Sequence, residues 1–384
     1  MGDIEGDIGC LEFMIRFFQR VGGQLLVRNF AILAVSEVLT RALTFVAFAY
    51  LARVLGPTVF GQNEIALAIM MVAMLVIDMG FPILGAREIA RRPHDHDLVR
   101  RIVSTQVTLA VVVVGVMIGV AYLLPIHSVL RWLVTGYGLS LLLWPLQIMW
   151  VFQGRNRMVW MAVPQLFRYG MFAGLAVILV RAPEHVTSLP MAEIAAVVVA
   201  GAVLGLVYLT GSDRPRWPVG LAFDRALIRE ALPIGAANLL WAVRTFLPIV
   251  LLGWLLTEAS AGLFGSSFRI MLAVHGVLTV YINNVFPLMS QSSHQSPEAL
   301  TVVLRRSMPL LIWPMAAGAA LATLFGYTVI DVIYGDQYAI REAYLSLTLL
   351  LWTMPVIACR RHCHFALLTL GHQVGAFRCA LAGV

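Results

Sequence analysis

The stretch FAILAVSEVLTRALTFVAFAYLARVLGPTVFGQNEIALAIMMVAMLVIDMGFP, residues 30–82, decides the fold class. It holds two apolar runs joined by a short turn around Gly56-Pro57. Each run matches the roughly 20 helical residues that cross a hydrocarbon core. Its charged residues are few: Glu37, Arg41, Arg53, Glu64 and Asp78.

The same pattern recurs to the end of the chain. Of 384 residues, 60% are hydrophobic and 12% charged, about half the roughly 25% usual in soluble domains. Mean hydropathy is +0.87. A soluble fold of this size needs far more polar surface, so soluble enzymes, disordered tails and disulfide-stapled secreted domains are excluded. Periodicity and loop signals place spans near 30–53, 63–86, 103–124, 132–153, 159–181, 190–210, 231–256, 263–288, 307–329 and 343–360. A last apolar segment lies near 365–384, either as the start of an eleventh span or as part of one broken helix. The expected fold is all-α: a polytopic membrane protein of ten or eleven transmembrane helices in two pseudo-symmetric bundles.

Residues 1–29 read as an N-terminal interfacial segment. Asp3, Glu5 and Asp7 stand where a cleavable signal needs basic residues, and 11–27 (LEFMIRFFQRVGGQLLV) is amphipathic. Residues 30–210 then form a six-helix bundle, 211–230 a cytoplasmic linker, and 231–384 a second, incomplete bundle. Every basic residue is arginine. With the N-terminus inside, 16 arginines fall in inner segments and 4 in outer loops, which fixes a cytoplasmic N-terminus by the positive-inside rule. The arginines flank apolar stretches, so the net charge of +7 reflects topology and not nucleic-acid binding.

The halves resemble each other. RVLGPTVFGQ (53–62) is matched by WLLTEASAGLF (254–264), and Phe81-Pro82 by Phe286-Pro287. Gly61 pairs with Gly262 and Pro82 with Pro287, at offsets of 201 and 205. Both repeats begin inside, so they are parallel, and substrate sites in such folds lie between repeats near the bilayer midplane.

Seven arginines lie outside the loops: Arg41, Arg168, Arg244, Arg269, Arg360, Arg361 and Arg378. A charge at the centre of a spanning helix costs roughly 2.5–3.5 kcal/mol on insertion scales, so it persists where paired or where it lines a wet cavity. Glu37 and Arg41 are four apart and form a local pair. Arg168, Arg244 and Arg269 have no acid within a turn in sequence. Guanidinium groups match phosphate oxygens bidentately, so the implied ligand is an anion carrying phosphate or pyrophosphate. Arg41, Arg168, Arg244 and Arg269 are the candidate binding residues. Glu37 and Asp78 are the candidate ion-coupling residues, because burial favours a protonatable carboxyl.

Other motifs are weak. His94-Asp95-His96-Asp97 and the Cys359/His362/Cys363/His364 group match no metal-ligand spacing. Neither a phosphate-binding Gly-rich loop nor a serine-hydrolase elbow occurs, so no cofactor is expected.

LARVLGPTVFGQ (51–62), DMGFPILGAREIARR (78–92), WVFQGRNRMVWMAVPQLFRYGMF (150–172) and GLFGSSFRIM…NNVFPLMSQ (262–291) resemble the polysaccharide-transporter, or oligosaccharide flippase, family. That family lies within the multidrug/oligosaccharidyl-lipid/polysaccharide exporter superfamily. The resemblance covers about 28–372. It implies two bundles, a central cavity, alternating access, and translocation of undecaprenyl-pyrophosphate-linked oligosaccharide across the cytoplasmic membrane. It implies no enzymatic activity, and a monomer working beside polysaccharide assembly proteins among membrane lipids. Family members usually carry twelve or more spans, whereas this sequence ends in or just after the eleventh. Two alternatives are weighed. A drug exporter of the same fold calls for buried acids rather than arginines. A membrane-embedded polysaccharide polymerase calls for a sizeable outer loop, and the outer loops here are short.

Overall fold

The structure is a computed structural model that describes residues 23–211 and 222–370. No strand occurs among the described residues. In hydrocarbon every backbone N–H and C=O must be satisfied within its own segment, and helices achieve this. The protein is an all-α, multi-pass membrane protein. Among the described residues, nine helical segments are long and apolar enough to cross a bilayer.

The first helix, α1 (Gly23–Asp78), is two spans in one. It bends at Gly56, whose φ of 72° lies in the left-handed region that a side chain resists, and Pro57 restarts the helix. Phe48 and Glu64, eight residues before and after the bend, both touch Arg269, so the two arms lie side by side as a hairpin. With this hairpin the described residues make ten passes.

The returning arm ends in a turn at Met79-Gly80, and α2 (Phe81–Arg91) follows. Then come α3 (His96–Leu123), α4 (Ser128–Leu141), a 3-10 turn at Trp144–Leu146, α5 (Met149–Gly154), α6 (Val159–Leu179) and α7 (Leu189–Leu209). The second half holds α8 (Arg225–Leu255), α9 (Glu258–Gln295), α10 (Pro297–Tyr334) and α11 (Arg341–Thr369). Helices α1–α7 pack together, as do α8–α11, and the two groups meet chiefly where α1 lies against α8 and α9.

The structure departs from the sequence expectation in three places. The second span stops at Asp78 rather than 86, because Met79 and Gly80 both take positive φ. The fourth span, expected over 132–153, is interrupted where Pro145 lacks an N–H. The tenth span runs to Thr369 without the break expected near 360, since no glycine or proline interrupts 356–370. Pro164, Pro233, Pro248, Pro309, Pro314 and Pro355 sit inside continuous helices. The interfacial segment lies mostly, and the segment beyond 370 entirely, outside the described residues, as does half of the linker.

The repeat pair Gly61 and Gly262 marks the crossing of α1 and α9. A Cβ on Gly61 would overlap the carbonyl oxygen of Glu258, and one on Gly262 that of Pro57. Glu258 and Pro57 each stand four residues before the opposing glycine's partner position, so the contact is reciprocal. Helices in lipid associate through such close small-residue packing. Gly61→Leu and Gly262→Leu should each destabilise the protein by about 3 kcal/mol or more, since the obstruction is backbone. Gly115, where a Cβ meets nothing within 4 Å, is the control. Thermal unfolding in detergent should show Gly115→Leu unchanged and the other two lowered.

Candidate functional site

Most of the sequence-derived charges fall at three places, two along the contact between the helix groups and one inside the first group. The first is Arg269 on α9. Its guanidinium forks onto Glu64 of α1, with Nε 3.1 and 3.2 Å and Nη2 2.8 Å from the carboxylate oxygens. Its face lies 3.5 Å from the Phe48 ring centroid, a cation–π contact. Glu64 is almost wholly buried and lies flat across Gly265, where a Cβ would leave it no room. This ion pair joins the first group of helices to the second.

The second place lies inside the first group. Arg168 on α6 pairs through Nη2 with Glu193 on α7, and both are buried. The Arg168 guanidinium sits over the Trp144 ring at 5.2 Å and the Tyr169 ring at 5.0 Å. Trp144 Nε1 donates to Asp78 Oδ1 at 2.9 Å, and Gln106 Nε2 reaches the same oxygen at 3.3 Å. The break at Pro145 is what turns Trp144 toward both partners. Tyr137 interacts electrostatically with Glu193 and Glu64, and its hydroxyl donates to Asn63 Oδ1 at 2.8 Å. Hydrogen bonds and ring contacts thus link Asp78 through Trp144 to Arg168 and Glu193.

The third place is one turn of α9, His275–Thr279. Arg41 Nη2 lies 2.6 Å from Glu37 Oε1, the pair expected from their spacing. The Arg41 stem passes over Gly276, where a Cβ would collide with Cδ. Arg41 Nε is buried with no hydrogen-bond partner among the described residues. Arg361 of α11 donates from Nη1 to Thr279 Oγ1 at 3.0 Å, and no carboxylate among the described residues lies within ion-pair distance of it. His275 feels Arg361, Arg41 and Arg360 together. Arg244, the fourth candidate, is half-buried, 19 residues into α8.

The four candidate arginines therefore do not form one cluster. Arg168 and Arg269 carry carboxylate partners 25 and 205 residues away, which spacing along one helix does not reveal. The repeat does hold the signal for Glu64. An offset of 201 maps Glu64 onto Gly265, one turn before Arg269. Thr279, Trp144 and Tyr137 were not singled out from the sequence, and Arg361 was named among the arginines outside the loops but not as a binding residue.

Two further contacts close the ends. At one end Arg53 donates to the carbonyls of Val332 and Ile333, the last turn of α10. Beside it, Gln62 Nε2 reaches Glu258 Oε2 at 2.5 Å and the Tyr338 hydroxyl donates to Ala52 O at 3.1 Å. At the other end Arg87 pairs with Glu230 at 2.6 Å and Arg101 with Asp224 at 2.6 Å. Asp224 also caps α8, accepting from Ala226 N and Leu227 N at 3.1 Å each. The Arg101 guanidinium, and then the Leu227 N–H, hold the Asp224 carboxyl below the usual carboxylate range. A depressed pKa contributes stability that is present above the unfolded value of about 4 and disappears as pH falls through the folded one. Wild-type stability should therefore decline faster than that of Asp224→Asn below about pH 4, which unfolding curves against pH will show.

Comparison with known proteins gives this geometry a setting. The family model described as "Polysaccharide biosynthesis protein" matches residues 26–293. The "Putative O-antigen transporter" of Escherichia coli (strain K12) is 23% identical over 318 residues, covering 81% of this chain and 76% of that protein. A MATE multidrug transporter solved in complex with R6G superposes with TM-score 0.61 at 16% identity, over 93% of this chain and 85% of the other. An inward-facing MATE family transporter of the MOP superfamily gives TM-score 0.57 at 14% identity, over 96% and 87%. At these identities the structural likeness is one of fold.

Proposed function

The chain belongs to the polysaccharide biosynthesis protein family, and on that footing we propose that it is a flippase for lipid-pyrophosphate-linked oligosaccharide repeat units. The related O-antigen transporter supports a cargo of this class. The substrate is a sugar chain on undecaprenyl pyrophosphate, and it crosses the cytoplasmic membrane by alternating access of the two helix bundles. The N-terminus lies in the cytoplasm, in keeping with the arginine distribution, and the protein acts as a monomer beside the polysaccharide assembly proteins.

One observation carries the reading: cationic groups outnumber acidic ones where the bundles meet. Arg41, Arg269 and Arg361 stand there with Glu37 and Glu64. A surplus of guanidinium in a low-dielectric setting favours a doubly charged phosphate ligand over an organic cation. Arg41 and Arg244 are the groups proposed to receive the pyrophosphate first. Arg269 follows once its carboxylate partner yields. Arg168, already neutralised, holds Trp144 and through it Asp78. Asp78 and Glu37 are the proposed sites for a coupling ion.

Leaflet-resolved tracking of lipid-linked oligosaccharide in proteoliposomes tests this. Wild type should move the lipid between leaflets, and Arg41→Ala or Arg244→Ala should slow it at least tenfold at unchanged insertion, the cost of unpairing a buried phosphate contact. Equal rates with and without the protein would sink the reading. Imposing a pH or sodium gradient should raise the wild-type rate, with the response lost in Asp78→Asn. A wild-type rate indifferent to both gradients would remove ion coupling.

A further inference from the structure

We propose that Glu64 is an internal stand-in for the substrate's phosphate: it occupies the Arg269 fork while the protein is empty and so latches the two bundles together. The inference rests on the flippase reading and adds a regulatory step to it.

The geometry points to a latch rather than a scaffold. Arg269 offers a bidentate fork, the arrangement that suits a phosphate as well as a carboxylate. Glu64 and Arg269 lie on opposite bundles, so the bundles cannot part along this seam while the pair holds. The pair sits just beneath the Gly61/Gly262 crossing, seven residues beyond Pro57 and eleven beyond Glu258. By helical rise it lies about 10–17 Å in from the ends of those helices. Arg269 keeps 15% of its side chain exposed and Glu64 only 2%, so a ligand approaches from the Arg269 side. The Phe48 ring holds the guanidinium in place if the carboxylate leaves.

Displacement carries a consequence. A pyrophosphate bears more charge than a carboxylate and competes for the same fork. Glu64 would then stand buried beside Gly265 without a counter-charge, which is strongly unfavourable in low dielectric. Separating the bundles along this seam hydrates Glu64 and relieves the penalty. Ligand binding at Arg269 is thus converted into opening of the end sealed by Arg53 and Gln62.

Ala261, fully buried beside Gly262, reports that opening. With Cys10, Cys359, Cys363 and Cys379 replaced by serine, Ala261→Cys is labelled by a hydrophilic maleimide in lipid nanodiscs. Labelling should be slow in the otherwise wild-type protein. Inorganic pyrophosphate should accelerate it about tenfold, a typical coupling between sites. Glu64→Gln should label that fast without pyrophosphate, and Arg269→Gln fast with or without it. The charge swap Glu64→Arg/Arg269→Glu should restore slow labelling and abolish the pyrophosphate response, which a merely unfolded variant would not do. Zwitterionic against anionic lipid separates the sources: acceleration by anionic lipid alone would assign the fork to membrane phosphates and overturn the substrate latch. Slow labelling of Glu64→Gln, or no pyrophosphate effect on wild type, would overturn it as well. Wild-type flipping measured in parallel keeps the two readings apart, because transport with an inert Glu64 leaves the flippase standing and removes only the latch.

Discussion

The absence of two side chains sets the spacing on which the rest depends. At Gly61 and Gly262 the backbones of α1 and α9 touch, each glycine against a carbonyl of the other helix. Any Cβ there would push the helices apart. That separation is what allows Glu64 to lie over Gly265 and reach Arg269, and what brings Phe48 under the same guanidinium. In lipid no hydrophobic force drives the bundles together, so close van der Waals packing and polar pairs across the seam must hold them. A contact of this kind holds well while closed and gives way as a unit, because carbonyl-to-glycine packing has no graded intermediate.

Charge decides how that seam is used. A lone arginine at mid-membrane costs roughly 2.5–3.5 kcal/mol on insertion scales, while breaking a buried pair costs about 3–5 kcal/mol. Arg168–Glu193 is shut inside one bundle, with aromatic rings on the guanidinium, and acts as structure. Arg269–Glu64 has the same chemistry but bridges two bundles, so the same energy becomes an energy of closure. Arg41 and Arg361 differ again. They converge on one turn of α9 with a single carboxylate, Glu37, between them, and that carboxylate is 43% exposed. Like charges brought together in this way favour an anion.

The fold class and nearly every span were legible in the sequence because apolar length is a local signal and the bilayer fixes its scale. The breaks were less legible. That Pro145 splits the fourth span and aims Trp144 depends on packing against Asp78 and Arg168. Gly61 and Gly262 were found as a repeat pair, yet that they touch each other follows only once the repeat axis is placed between them. Cross-helix partners were the hardest part. The Glu37–Arg41 pair, four residues apart, was readable, whereas the Arg168–Glu193 and Arg269–Glu64 pairs required knowing which helices are neighbours.

The two helix groups are built differently. The first is interrupted at Gly56, at Met79-Gly80 and at Pro145, and inside it Trp144 and Gln106 hydrogen-bond Asp78 while Tyr137 hydrogen-bonds Asn63. Such bonds rigidify what they satisfy. The second is built of long helices of 31, 38, 38 and 29 residues that run through their prolines without stopping. It carries Arg244, Arg269, Arg360 and Arg361 with no acid of its own among the buried polar residues. The carboxylate that neutralises Arg269 comes from the first group, as Glu64 of α1. Arg269 of the second group is thus held by a carboxylate of the first, and under the proposed function an anion reaching that seam competes with the charge that joins the two.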